Sequence, residues 1–76
     1  MIGRPGYIEL KYEELEAIRL ADHTGLNQKE CAVNMGISQQ TFSRVLKNGH
    51  KCLAEAMIMG KTIKVKGGDF KLAQKA

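Results

Sequence analysis

Between residues 38 and 47 the chain reads SQQTFSRVLK, a run in which side chains that donate and accept hydrogen bonds alternate with apolar ones at helical spacing. Wound into a helix, the run turns Phe42 and Val45 to one side and Ser38, Gln39, Gln40, Ser43, Arg44 and Lys47 to the other. The outward set matches the chemistry of a base edge. A glutamine amide pairs with the donor and acceptor of adenine, and an arginine fork grips the two acceptors of guanine. Gln39, Gln40 and Arg44 are therefore the candidates for base contact. Ser38, Thr41, Ser43, Lys47 and, further on, Lys51 suit phosphates or shared contacts, and Gln28 with Lys29 can hold the flanking backbone through amides and charge. Contacts of this second kind position a protein on DNA without specifying sequence. The plain alternative is a solvated helix face.

Other chemistries find less support. An enzyme needs a nucleophile, a base and an acid gathered in a cleft, and the chain offers His23, His50, Cys31, Cys52 and scattered carboxylates that nothing groups. On a helix, His50 and Cys52 point away from each other, and Cys31 is needed inside, so a zinc site is not expected. We expect no catalytic residue, metal, cofactor or small-molecule substrate. Single-stranded RNA would call for an aromatic stacking platform, and the aromatic residues are Tyr7, Tyr12, Phe42 and Phe70, with Phe42 in the core.

Length and charge set the frame. A chain of 76 residues forms one domain and hides only about 60 per cent of its unfolded surface, which leaves little room for a deep pocket. Residues 1–30 carry four Lys or Arg against six Asp or Glu, a balance of −2, whereas residues 31–76 carry eight against two, a balance of +6. A basic half attracts a polyanion, although such a charge also serves solubility. No apolar run approaches the roughly 18 residues of a membrane span, and the first ten residues lack the order of a signal peptide, so the expected location is the cytoplasm. Cys31 and Cys52 fall in helical stretches and read as two reduced, buried thiols.

The elements that position the outward set follow from local signals. Gly3, Pro5 and Gly6 break regular structure, and Tyr7, Ile8, Glu9 and Leu10 read as a short extended segment. Glu13, Glu14 and Glu16 favour the first turns of a helix over about 12–22, with Leu15, Ile18 and Leu20 on its apolar side and Arg19 as a partner for Glu16 or Asp22. His23 reads as a loop residue. Gly25 suits a left-handed exit, and Asn27 with Glu30 forms a capping box for a second helix over about 28–34. Gly36 makes the turn, Ser38 caps a third helix, and Leu26 with Cys31 and Ile37 with Phe42 fasten the two helix starts as hydrophobic staples.

The spacing of Val45, Leu46, Gly49, Cys52, Leu53, Ala56, Met57 and Met59 carries the third helix to about Met59, through the weak point at Asn48-Gly49. Gly49 then lies on the inward side, where another element can approach. Gly60 ends the helix. Thr62 to Lys66 alternate as a half-buried strand would, Gly67-Gly68 reads as a hairpin turn, and Phe70 and Leu72 lie on a returning strand. Two strands alone are marginal, so this hairpin leans on the helices, pairs with the segment at Tyr7 to Leu10, or pairs with a second subunit.

The segments ELEAIRLAD, QKECAVNMGIS, TFSRVL and GGDF resemble uncharacterised protein family 0251, also described as domain of unknown function 134, a prokaryotic helix-turn-helix family similar to region four of sigma factors. The resemblance covers Glu13 to Phe70. It implies a sequence-specific DNA-binding protein, a transcription regulator without cofactor or catalysis. Two departures stand out. Family members start with a longer basic, cysteine-containing segment, where this chain has GRPGYIEL, and Asn48-Gly49-His50-Lys51 replaces an uninterrupted run with arginine and lysine, which puts phosphate binding by His50 and Lys51 in doubt.

The expected fold is mainly α: a three-helix helix-turn-helix domain with a long third helix, a short N-terminal extended segment and a C-terminal β-hairpin. The expected partner is double-stranded DNA, with a homodimer through the hairpin at about 62–72. The rival is a protein-interaction module on the same scaffold, since fold does not fix function.

Overall fold

The structure, a computed structural model, describes residues 6–66. Strand β1 (Tyr7–Lys11) leads into helix α1 (Tyr12–Ile18), which continues as a π-helical turn over Arg19–His23; helices α2 (Gln28–Met35) and α3 (Gln39–Met59) and strand β2 (Thr62–Lys66) follow. The fold is mainly helical, as expected. The hairpin turn at Gly67-Gly68 and the returning strand with Phe70 and Leu72 lie outside the described residues.

Helix α1 starts where the Lys11 N–H donates to the Glu14 carboxylate at 3.0 Å. Glu14 is buried despite its charge, beside the inward-facing Ala17 and Leu20. Arg19 takes Glu16 as its partner rather than Asp22, with Nη2 at 2.7 Å from Oε2. The hydrogen bond from Arg19 pulls the Glu16 carboxyl below its ordinary range. A lowered acid stabilises the fold fully above its unfolded value and loses that contribution as pH falls through the folded one. Glu16→Gln should therefore lower Tm at neutral pH, and the gap to wild type should close on acidification below about pH 4; a gap independent of pH would contradict this pairing.

The helical path runs one residue past the expected end, so His23 closes the wide turn instead of lying in a loop. Thr24 N–H reaches back to the Arg19 carbonyl at 2.8 Å and Leu26 N–H to that of Leu20 at 3.0 Å. Gly25 allows the exit with φ of +83°. Asn27 then caps α2 as expected: its Oδ1 accepts from Glu30 N–H at 2.8 Å, and Glu30 Oε1 accepts from Asn27 N–H at 3.0 Å.

Helix α3 is continuous through Asn48-Gly49 and spans 21 residues, about 31 Å at 1.5 Å per residue. Packing outweighs the intrinsic cost of glycine. A Cβ on Gly49 would lie 3.0 Å from Ile18 Cδ1 and 3.4 Å from the Glu14 carbonyl oxygen, so α1 packs against α3 where α3 itself carries no side chain. Gly49→Leu should destabilise the fold by about 1–3 kcal/mol through overpacking. Denaturant unfolding reads this directly, and an unchanged midpoint would mean that the crossing is looser than described.

Of the three partners open to the strand after Gly60, the segment at the start of the chain is the one it takes. β2 pairs parallel with β1, setting Ile8 beside Ile63, Leu10 beside Val65 and Glu9 beside Lys64. The helices supply the long crossover that a parallel pair requires. The expectation of a half-buried β2 is corrected, since all five of its residues are exposed. Among the described residues the sheet's buried side chain, Leu10, belongs to β1. On the polar side Lys66 Nζ lies 2.9 Å from Glu9 Oε2, and Lys64 sits 4.4 Å from the Tyr7 ring centre.

Both cysteines are free thiols, Cys31 buried and Cys52 only half-buried, which corrects the expectation for the second. Burial pushes each thiol upward in pKa. Among the described residues, no helix is long and apolar enough to cross a membrane.

Candidate nucleic-acid interface

The site is built from the core outward. Ala17, Leu20, Cys31, Ala32 and Phe42 form one buried cluster, with Leu26, Met35, Ile37, Val45 and Leu46 packed around it. Phe42 is the fully buried anchor that α3 sends into this cluster. The turn between α2 and α3 is closed by Ile37 N–H to the Ala32 carbonyl and Gly36 N–H to the Val33 carbonyl, both at 3.1 Å. This double bond pattern needs a left-handed residue, and Gly36 supplies φ of +68°. Core and turn together fix which side of α3 faces solvent.

That side carries the expected set. Gln39, Gln40, Thr41, Ser43, Arg44, Lys47 and Lys51 are all exposed on α3, in two adjacent rows at three- and four-residue spacing. Ser38 is more committed than expected. Its Oγ accepts from Thr41 N–H at 3.0 Å and donates to Thr41 Oγ1 at 2.9 Å, so the hydroxyl is spent on the cap and Thr41 keeps the free hydroxyl proton. Gln28 and Lys29 lie exposed at the start of α2, with the rest of α2 and the turn between them and α3.

Ion pairs hold some cations of the described residues and leave others free, Lys11 and Lys64 on the two strands among the latter. Arg19 is tied to Glu16, Lys61 to Glu55 at 3.5 Å and Lys66 to Glu9. Lys29, Arg44, Lys47 and Lys51 make no ion pair among the described residues. Their charge is available to a polyanion.

One contact at the edge of the face was not foreseen. His50 Nε2 lies 2.6 Å from Asp22 Oδ2, which fastens the middle of α3 to the end of the π-helical turn. His50 is thereby removed from the candidate phosphate contacts, while Lys51 stays free. The partners are 28 positions apart, and no local signal announces the pair. Among the described residues, no three His, Cys, Asp or Glu side chains come together in a way that could hold a metal ion.

A small helical protein with two helices joined by a tight turn, the second presenting free polar and basic groups, is the class these features define. The chain belongs to the family described as a protein of unknown function, DUF134, which it matches over residues 2–73. Similar proteins include a UPF0251 protein of Caldicellulosiruptor bescii, 49% identical over 68 residues, covering 90% of this chain and 49% of that protein. A UPF0251 protein of Halothermothrix orenii is 49% identical over 67 residues, covering 88% of this chain and 50% of the relative. One of Moorella thermoacetica is 48% identical over 65 residues, covering 86% and 44%. The chain thus spans about half the length of the curated relatives it matches. No solved structure matches it.

Proposed function

We propose that this chain binds double-stranded DNA in the cytoplasm through the α2–turn–α3 unit and serves as a sequence-specific transcription regulator, with no catalytic step, cofactor or small-molecule substrate. The observation that carries the reading is the first nine residues of α3: one side anchors in the core through Phe42, and the other offers Gln39, Gln40, Ser43, Arg44 and Lys47, exposed and without partners among the described residues. In the major groove Gln39, Gln40 and Arg44 address base edges. Lys47, Lys51, Thr41, Ser43, Gln28 and Lys29 address phosphates and fix the register; Ser38, its hydroxyl committed to Thr41, shapes the start of the helix beside them.

The test is the binding of the 76-residue chain to a random duplex across a salt series. Binding at low salt that weakens linearly in log salt, with a slope reflecting several released counterions, agrees with the reading. Undetectable binding at low salt overturns it. The rival reading, a protein-interaction module, draws on different residues: Val33 on α2 is 73% exposed, and Ile58, towards the far end of α3, is 80% exposed.

A further inference from the structure

The contact between His50 and Asp22 places a titratable group at the edge of the polar face. His50 Nε2 lies 2.6 Å from Asp22 Oδ2, and the two side chains are 48% and 47% exposed. A carboxylate only accepts hydrogen bonds, so the imidazole keeps a proton on Nε2 whether the ring is neutral or charged. The bond survives in both states. What changes is the charge of the pair, one net negative charge with a neutral ring and none with an imidazolium.

That charge stands beside the candidate phosphate contacts. Lys47 precedes His50 by three residues, the spacing of neighbours on a helix surface, and Lys51 follows it directly. Neither lysine pairs with Asp22 or with another carboxylate among the described residues. The other charged groups on the elements around the pair are mostly committed elsewhere. On the π-helical turn Arg19 is tied to Glu16 of α1, while His23, the other histidine of the chain, is exposed. On α1 Glu14 is buried against Gly49 and accepts from Lys11 N–H; on α2 Glu30 is engaged with Asn27. Strand β1, with Glu9 and Lys11, meets α3 at Cys52, about 200° around the helix from His50, and β2, with Lys64 and Lys66, pairs with β1.

We propose that the Asp22–His50 pair makes duplex binding by α3 proton-dependent: protonating His50 cancels the Asp22 charge at the edge of the face and tightens its hold on phosphates. The inference rests on the reading of α3 as a duplex-binding helix and adds the group that regulates it. Histidine is the side chain whose ordinary titration spans about pH 5–8, so the change falls in the range where a small shift of acidity counts. The coupling is reciprocal. A duplex bound at Lys47 and Lys51 draws a proton onto the pair.

Fluorescence anisotropy with a random duplex at fixed ionic strength, compared at about pH 5.5 and about pH 8.5, tests it. The wild type should bind about three- to tenfold more tightly at the acid end. Asp22→Asn removes the same charge permanently, so at the alkaline end it should bind as tightly as the wild type does at the acid end. His50→Gln keeps a donor for Asp22 but cannot titrate, and should bind equally at both pH values. His23→Gln should keep the wild-type difference. Undetectable binding at either pH sinks the duplex reading and this proposal with it, whereas wild-type binding of equal strength at both sinks this proposal alone. A pH difference that survives in His50→Gln or vanishes in His23→Gln also overturns it, as does an Asp22→Asn chain that binds no better than wild type at the alkaline end.

Discussion

Phe42→Ala should remove most of the stability of this domain. Phe42 is fully buried and joins α3 to Cys31 and Ala32 of α2 and to Leu20 at the end of helix one, so a cavity there separates the elements that define the fold. Truncating a buried phenylalanine costs about 3–5 kcal/mol, and a domain of this length has only about 4–11 kcal/mol in total. Thermal unfolding should show Tm falling steeply or the cooperative transition disappearing. Val33→Ala, at a residue 73% exposed, should stay within about 0.5 kcal/mol of wild type. A loss below about 1 kcal/mol for Phe42→Ala would show that the cluster is held by other residues.

The second large effect is on recognition. Arg44 is exposed and without an acidic partner among the described residues, in the second turn of α3. If it grips a guanine, Arg44→Ala should weaken binding to the selected site by about 1–3 kcal/mol, roughly 5- to 150-fold, with a much smaller loss on random duplex. Lys47→Ala should weaken both alike and reduce the salt slope by about 1. The contrast between the two is the informative quantity, because the side chains sit less than one turn apart on the same helix face. Equal losses for Arg44→Ala on selected and random DNA would reduce Arg44 to a phosphate contact. A selected sequence pool supplies the cognate site and, with it, the half-site arrangement.

What could be read from the sequence divides along a physical line. The caps at Asn27 and Ser38, the left-handed glycines at Gly25, Gly36 and Gly60, and the partition of α3 into Phe42 on one side and Arg44 on the other all depend on residues within a few positions of one another. Local geometry decides them, so spacing sufficed. Gly49 was the instructive intermediate. Its own propensity argues for a break, but its place on the inward side argues for a crossing, and the contact with Ile18 bears out the second argument.

What was not legible is non-local. The pairing of Glu9 with Lys66 and of Asp22 with His50 joins residues far apart in the chain, and several partners were open to each on sequence grounds. The strand after Gly60 could have leaned on the helices, paired with the start of the chain or paired with a second subunit, and the parallel register with β1 follows only once the helices bring the two ends together. Ser38 was read as a phosphate contact, although a residue chosen as an N-cap has its hydroxyl engaged for that reason, as its bonds to Thr41 demonstrate. Met57 and Met59 fitted the helical spacing of α3, yet both are exposed, and with them Ile58 between.

The central claim is that the first turns of α3 enter the groove while the far end does not. Titrating isotopically labelled chain with a short duplex and following backbone amide shifts by NMR tests it most directly. The account predicts the largest changes at residues 38–47, smaller ones at Gln28, Lys29 and Lys51, and almost none at residues 57–66. Shifts concentrated on residues 57–66, or an unperturbed α3, would contradict it.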